Sequence, residues 1–525
     1  MALIPLPSET TFVNGFFELT KKTALTRCEK LSFGGNLFAR LFASKFGVEV
    51  ESGDDLKYVF DQSLTEEEYV LTVKPDKILI TAGGESGGIW ATQTLRLLCN
   101  FDAEQNKIVI PCVEIKDKPR FGWRGVTFDV SRHFFDLNEI KRFLDLMSLM
   151  KLNVLHLHLC DDQGFRVEIE KYPILNKIAS FRDGTLRRDG KNYIDNIRYG
   201  GYYTKNEIRE MVGYATNLGI QIVPEIDLPG HTSAIVAAMP EISCRGEEIS
   251  VRCEFGISTD ILCAGNDKTY EVVKNILDEI CKLFPSEYIH LGGDEAPKQN
   301  WKTCVKCQAK IKEQNLSDEE ALQGYFFNYF AEYLAKKDKR VIGWNECLNE
   351  TLSKDIVCQH WTPVTMGKNR LTVKHINNGR KAIVSDFLKT YFDYPYAMTP
   401  LKKVFDFDPF TTLKGINSEN YKNVMGAECN IWTEWIPDRK KLDFNCFPRI
   451  LAFAENAWRD EKTTYADFVN RLKQFYPLLY ALGVGYAKNK EKPTQLFKAI
   501  GIIRKQFTKD AFCELKEQKD LEKNI

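Results

Sequence analysis

The chain has 525 residues, 44% of them apolar, with Lys plus Arg and Asp plus Glu both at 72, so its formal net charge is zero. That length exceeds one ordinary domain and suits a large catalytic unit with a smaller companion. Charge balance excludes the bulk electrostatic pull that recruits nucleic acid or anionic membrane, and no stretch supplies the roughly 18 apolar residues of a membrane span.

The opening MALIPLPSETTF has neither a basic n-region nor an apolar h-region, so it does not read as a signal peptide. An exported protein (secreted, periplasmic or lysosomal) whose signal is absent from this chain is the preferred reading, with a cytoplasmic location as the alternative. Residues 1–118 form a first unit. Glu68–Val73 and Lys77–Thr81 alternate as short strands around a Pro/Asp turn. The Gly-rich run Ala82–Gly88 leads into a helical Ile89–Leu95. It lacks the Walker lysine and the Rossmann spacing, so it reads as a tight turn packing a helix on a sheet.

From residue 119 to 475 the pattern becomes a ladder of apolar strand and amphipathic helix. Strands are expected at Gly125–Val130, Val154–Cys160, Ile220–Ile226, Tyr288–Gly293, Val341–Trp344, Ile356–Trp361, Ala382–Phe387 and Val424–Trp432. Ile140, Phe143, Leu144 and Met147 give Leu137–Lys151 a helical stripe. Thr204–Glu207 and Ser317–Glu320 match capping boxes, and Gly219 stands where a helix should stop. Near-continuous apolar strands alternating with helices imply a parallel sheet, and this many imply a closed (β/α)8 TIM barrel behind a small α/β domain. Residues 476–525 read as a helical extension ending in a charged tail, Glu514–Ile525.

Fifteen cysteines cannot all pair. Cys304 and Cys307 form a CxxC without a second CxxC to complete a zinc site, so a local disulfide or two reduced thiols is the expectation; Cys244 and Cys253 could bridge the loop between them. No metal and no cofactor are expected.

In a TIM barrel, chemistry sits at the C-terminal ends of the strands. Those ends carry Asp129–His133, His158–Asp162, Glu225–His231, Gly292–Glu295, Trp344–Glu346, His360-Trp361, Asp386 and Trp432–Glu434. Carboxylates beside indoles suit a sugar: acids for the acetal oxygen, flat apolar walls for the C–H face of the ring. Glu295 is the candidate proton donor, because acetal cleavage needs a carboxyl acid at the leaving oxygen. Asp294 adjoins it too closely to face it across a sugar as a nucleophile would. His156 and His158 share a strand face and could ligate zinc as in barrel amidohydrolases; core histidines bonded inside the barrel are the preferred reading.

Gly125–Phe134, Leu155–Phe165, Val223–Thr232 and His290–Pro297 resemble the family 20 glycoside hydrolases, the β-N-acetylhexosaminidases. So do Gly343-Trp344, Gln359–Trp361, Gly426–Glu428 and Trp432–Glu434, and residues 1–118 resemble that family's preceding small domain more loosely. The resemblance implies exo-hydrolysis of terminal β-linked GlcNAc or GalNAc from glycans with retention, the substrate's 2-acetamido oxygen acting as nucleophile. It makes Glu295 the acid, Asp294 the group that polarises the acetamido N–H, and Tyr391 a donor to the acetamido oxygen. Trp344, Trp361 and Trp432 would box the acetyl methyl. Asp161 would orient His231 against the glutamate. Arg132, Asp393 and Glu434 would read the sugar hydroxyls; Phe392 stands where the family pattern suggests leucine. The competing readings are a barrel releasing a disaccharide in the manner of a lacto-N-biosidase, a glycan-binding barrel without activity, and the metal-dependent amidohydrolase. Assembly, for instance as a homodimer, is left open.

Overall fold

A computed structural model describes residues 3–20, 23–46, 51–102, 107–188, 192–362, 368–461 and 463–490. The expected charged tail lies outside the described residues.

The N-terminal unit is a seven-stranded mixed sheet. Along its main path run Glu9–Leu19, Lys107–Asp117, Tyr69–Val73, Ile78–Ala82, Glu51–Phe60 and Ala24–Thr26, with Asn100–Asp102 paired to Lys107–Asp117. Tyr69–Val73 and Ile78–Ala82 pair antiparallel. Their strict alternation of buried and half-buried side chains is the period of a strand with one covered face. The cover is two helices, Ser32–Phe46 and Glu85–Leu98. The second starts inside the Gly-rich run rather than after it, since Gly87 and Gly88 are helical. A Cβ on Gly34 would fall 2.7 Å from the backbone carbon of Gly88. Close helix contact, not phosphate binding, is what these glycines serve.

The barrel closes from eight parallel strands: β1 (Trp123–Asp129), β2 (Val154–His158), β3 (Gln221–Glu225), β4 (Tyr288–His290), β5 (Arg340–Trp344), β6 (Val357–His360), β7 (Ala382–Val384) and β8 (Val424–Ile431). β8 returns to β1 with Cys429 opposite Val126. All eight stand where the sequence pattern put them, mostly shorter at the C-terminal end. The difference falls on the residues that leave the ladder to build the rim. β4 is the extreme case, ending at His290 because Gly292 and Gly293 turn away with φ of +65° and +100°. His290 therefore ends the strand, where the sequence pattern carried it on to Gly293.

Helix Leu137–Leu149 buries the predicted stripe, and Thr204 and Glu207 form the reciprocal capping box before helix Lys205–Thr216. The second expected box is displaced by one residue. Asp318, not Ser317, caps helix Glu319–Ala335 through the Ala321 N–H; a carboxylate is the stronger acceptor at a helix start. The final described helix, Tyr465–Ala481, runs through the expected boundary at 475.

The two units share a buried polar joint. Lys151 Nζ meets Asp117 Oδ2 at 2.7 Å with neither side chain exposed. Tyr69 and Trp458 donate to the same carboxylate at 2.7 and 2.9 Å. The Arg124 guanidinium lies against Trp90 and Trp458 and pairs with Glu67. Removing one partner of such a pair strands a buried charge. Lys151→Ala is expected to lower unfolding free energy by about 3–5 kcal/mol, measured by denaturant titration.

Candidate active site

Two carboxylates lie at the centre of the rim. After the Gly-Gly turn, Glu295 adopts φ +43°, a left-handed conformation that costs a non-glycine residue roughly 1–2 kcal/mol. The turn is held by Asp227, whose Oδ1 accepts from the Gly293 N–H at 3.0 Å, and by Glu346, which accepts from the Glu295 N–H at 3.3 Å. A Cβ on Gly292 would fall 1.7 Å from Asp227 Oδ1, so this turn admits only glycine there.

Alternation along a strand therefore does not govern Asp294 and Glu295. Both converge on His231 Nε2, Glu295 at 3.4 Å and Asp294 at 3.8 Å. Two carboxylates that reach one nitrogen stand on the same side of a bound sugar. The expected conclusion, that they cannot oppose each other across the ring, follows from this convergence.

Behind His231 a chain of charges continues. Asp161 Oδ1 meets His231 Nδ1 at 3.2 Å, and its Oδ2 meets Arg132 Nη2 at 2.6 Å and His158 Nε2 at 3.1 Å. Burial raises the cost of the Asp161 charge, yet Arg132 and His231 hold the carboxyl well below its ordinary range. Burial likewise opposes a charged His231, but Asp161 and the bonds to Asp162 and Glu295 hold its ring protonated well above the usual imidazole range. Asp294 moves the other way. Burial, resisted by His231 and reinforced by Glu295 and Glu225, pushes it up to about 6.

On the other flank the indoles gather. Trp344 and Trp432 have ring centroids 5.9 Å apart, Tyr391 and Trp432 6.4 Å, and Trp361 and Tyr391 6.2 Å. The Tyr391 hydroxyl, against which the Trp432 indole N–H is directed, lies within electrostatic reach of Asp294. Asn430, in β8, brackets the Tyr391 backbone: its carbonyl accepts from Phe392 and its N–H donates to Thr390, both at 2.9 Å. Phe392 is fully buried beneath the Arg449 guanidinium. Its bulk is thus accommodated inward, with Tyr391 and Asp393 on either side of it.

Arg132 Nη1 contacts Asp129 at 3.1 Å and Glu434 at 3.8 Å, and its guanidinium lies over the Trp432 ring at 5.2 Å. Burial, then Glu434, push the Asp393 carboxyl well up. Every predicted site residue is therefore joined to the others on one rim. Among the described residues, the buried polar atoms without a protein hydrogen-bond partner include Asp294 Oδ1, Asp393 Oδ1 and Trp361 Nε1, which suits groups that await a ligand.

Sequence reasoning missed the support beneath. Glu225 Oε1 accepts from Trp344 Nε1 at 2.9 Å, while His156, His158 and His290 all contact the Glu225 carboxylate. Glu428 accepts from Trp123, Thr127 and Gln359, with His156 Nδ1 2.7 Å away. A signal was present: Val223, Glu225 and Asp227 alternate on one face, so the carboxylates continue the inward positions of β3. His156 and His158 are core histidines, as preferred. Their rings lie beside the carboxylates of Glu225, Glu428 and Asp161.

Cys304 and Cys307 are two reduced thiols, one of the two expected states, but the suggested Cys244–Cys253 bridge is not formed: both of those thiols are free. Cys244 turns instead toward Cys307, with the sulfurs 3.7 Å apart.

Comparison with known proteins agrees with this geometry. The model for the catalytic domain of glycosyl hydrolase family 20 matches residues 121–461, and that for domain 2 of the same family matches residues 1–118. A β-hexosaminidase of Porphyromonas gingivalis is 33% identical over 507 residues, covering 92% of this chain and 64% of its own length. One from Vibrio furnissii is 31% identical over 406 residues, covering 75% and 65%. This chain thus spans just under two thirds of both relatives. The crystal structure of an exo-β-N-acetylglucosaminidase from Vibrio harveyi, bound to N-acetylglucosamine, superposes with a TM-score of 0.84 at 28% identity, covering 93% of this chain and 78% of that one.

Proposed function

The chain belongs to glycosyl hydrolase family 20, and from that premise we propose that it is an exo-acting β-N-acetylhexosaminidase that removes terminal GlcNAc or GalNAc with retention. The observation that carries the reading is the aromatic box of Trp344, Trp361, Tyr391 and Trp432 beside paired Asp294 and Glu295. A glycosidase with its own nucleophile needs a second carboxylate about 5–5.5 Å from the acid, across the sugar. Here the second carboxylate shares a histidine with the first and lies within electrostatic reach of Tyr391 in the aromatic cluster, which supports a pocket for an acetyl methyl.

In the proposed reaction the acetamido carbonyl oxygen attacks C1 as the C1–oxygen bond to the aglycone breaks. Glu295 gives its proton to the leaving oxygen. Asp294 accepts from the acetamido N–H and balances the positive charge of the oxazolinium ring. Tyr391 donates to the acetamido oxygen and keeps it aimed at C1. Water then adds to C1 from the opposite face, losing a proton to Glu295, as the C1–oxygen bond of the oxazolinium ring breaks and restores the acetamide, and the two inversions give net retention. His231, charged and backed by Asp161, fixes the carboxylate pair. Arg132, Asp393 and Glu434 close the far end around the sugar hydroxyls, which supports cleavage of one terminal residue over release of a disaccharide.

The test compares aryl β-GlcNAc, β-GalNAc and β-glucoside. Turnover of the acetamido sugars is expected, with the glucoside essentially inert, and a thiazoline analogue of the intermediate should inhibit strongly. Comparable glucoside turnover would remove the acetamide from the mechanism.

A further inference from the structure

Behind the loops that carry His231 and Glu295 lies a second constellation that glycoside chemistry does not use. Cys244, Cys263, Cys304 and Cys307 place their sulfurs within 4.8 Å of one another. The Cys244–Cys307 and Cys263–Cys304 separations are 3.7 Å, and Cys263–Cys307 is 3.5 Å. A disulfide would require about 2.05 Å, and all four thiols are unpaired. Metal–sulfur bonds of about 2.3 Å in tetrahedral geometry put the sulfurs roughly 3.8 Å apart. We propose that these four cysteines bind one zinc ion as thiolates, a closed structural site that ties the loop after β3 to the helices after β4.

The local architecture is that of a metal knuckle. Cys304 is the N-cap of helix Val305–Glu313, with Cys307 in its first turn, where the helix end favours negative charge. Cys263 accepts a hydrogen bond from the Gly265 backbone N–H. A Cβ on Gly265 would fall 2.2–2.3 Å from the backbone of Lys306 and Cys307, so glycine lets this turn lie directly on the CxxC turn. Cys244 lines an open surface depression with Arg245 and Lys306. The depression, which Glu241 and Glu248 also line, offers the ion a way in. Sulfur ligands in tetrahedral array select zinc, or iron, over calcium or magnesium.

Tying these loops has a mechanical consequence. Leu262, next to Cys263, donates its N–H to the Pro229 carbonyl and accepts from the Trp301 indole. Pro229 lies two residues before His231, and Trp301 six residues after Glu295. The ion would brace both segments from behind.

Elemental analysis of the full chain, purified with reductant and without added chelator, is expected to give about one zinc per chain, released when a mercurial blocks the thiols. Cys263→Ser and Cys307→Ser should each lose the metal, while Cys253→Ser retains it. Should the serine variants misfold, cobalt substitution of the unaltered chain keeps the question open to refutation. Cobalt held by four thiolates must show tetrahedral d–d bands and thiolate charge transfer. A reduced chain supplied with zinc that takes up none, a cobalt spectrum without thiolate charge transfer, or disulfides among these four by intact mass would each overturn the assignment. Metal content is read without any sugar, so this outcome and that of the glycosidase assay are independent.

Discussion

Glu295→Gln is expected to lower kcat about 10³-fold on a GlcNAc disaccharide, within the 10²–10⁴ range of general acid catalysis, and far less on a dinitrophenyl glycoside. The amide preserves shape and can still sit 3.4 Å from His231, but it has no proton to give to the departing oxygen. A sugar alkoxide cannot leave without that proton, whereas dinitrophenolate can. The discriminating measurement is therefore the slope of log kcat against leaving-group basicity, which should steepen sharply in the variant. Equal losses on both substrates would indicate a collapsed turn rather than a missing acid. That control matters because Glu295 is held at a positive φ between Asp227 and Glu346.

The barrel was legible because each strand is a short run of buried side chains followed by a polar rim, and β-branched and aromatic residues crowd the runs. Rim identities were legible for the same reason: the polar residues that end an otherwise apolar strand have nowhere to go but the mouth. The supporting roles of Glu225, which ends β3, and of Glu428, inside β8, were not, because what a buried carboxylate does depends on partners that the strand's own pattern does not show. Those partners arrive from other strands: His156 and His158 from β2, His290 from β4, Trp344 from β5. Pattern reading sees one strand at a time and cannot close such a circuit.

The cysteines illustrate the same limit differently. Cys304 and Cys307 announce themselves by spacing, but Cys244 and Cys263 are single residues on another loop. Only the stacking of the β3 and β4 excursions, joined by the Trp301–Leu262 bond, brings all four sulfurs together. Local sequence had also suggested Cys253 as a partner for Cys244, by proximity along the chain alone.

Asp294→Asn carries the second large expected loss, about 10²–10³-fold in kcat, the scale of removing a preorganised group aimed at developing charge. The carboxylate accepts from the acetamido N–H and opposes the positive oxazolinium; the amide can turn its oxygen to the N–H but brings no charge. Binding of the thiazoline analogue should weaken in proportion to kcat/KM, while KM for substrate moves little, because the charge exists only beyond the ground state. The pH profile supplies a sharper check. Burial first, with Glu295 and Glu225 adding and His231 resisting, lifts this carboxyl to about 6. The reactive, ionised form therefore empties as pH falls through 6 and is complete above it. The unaltered enzyme should show an acidic limb in kcat/KM near that value, the free-enzyme titration, and Asp294→Asn should lack it. A limb that persists unchanged in the variant would assign the titration to another group and remove Asp294 from the charge-stabilising role.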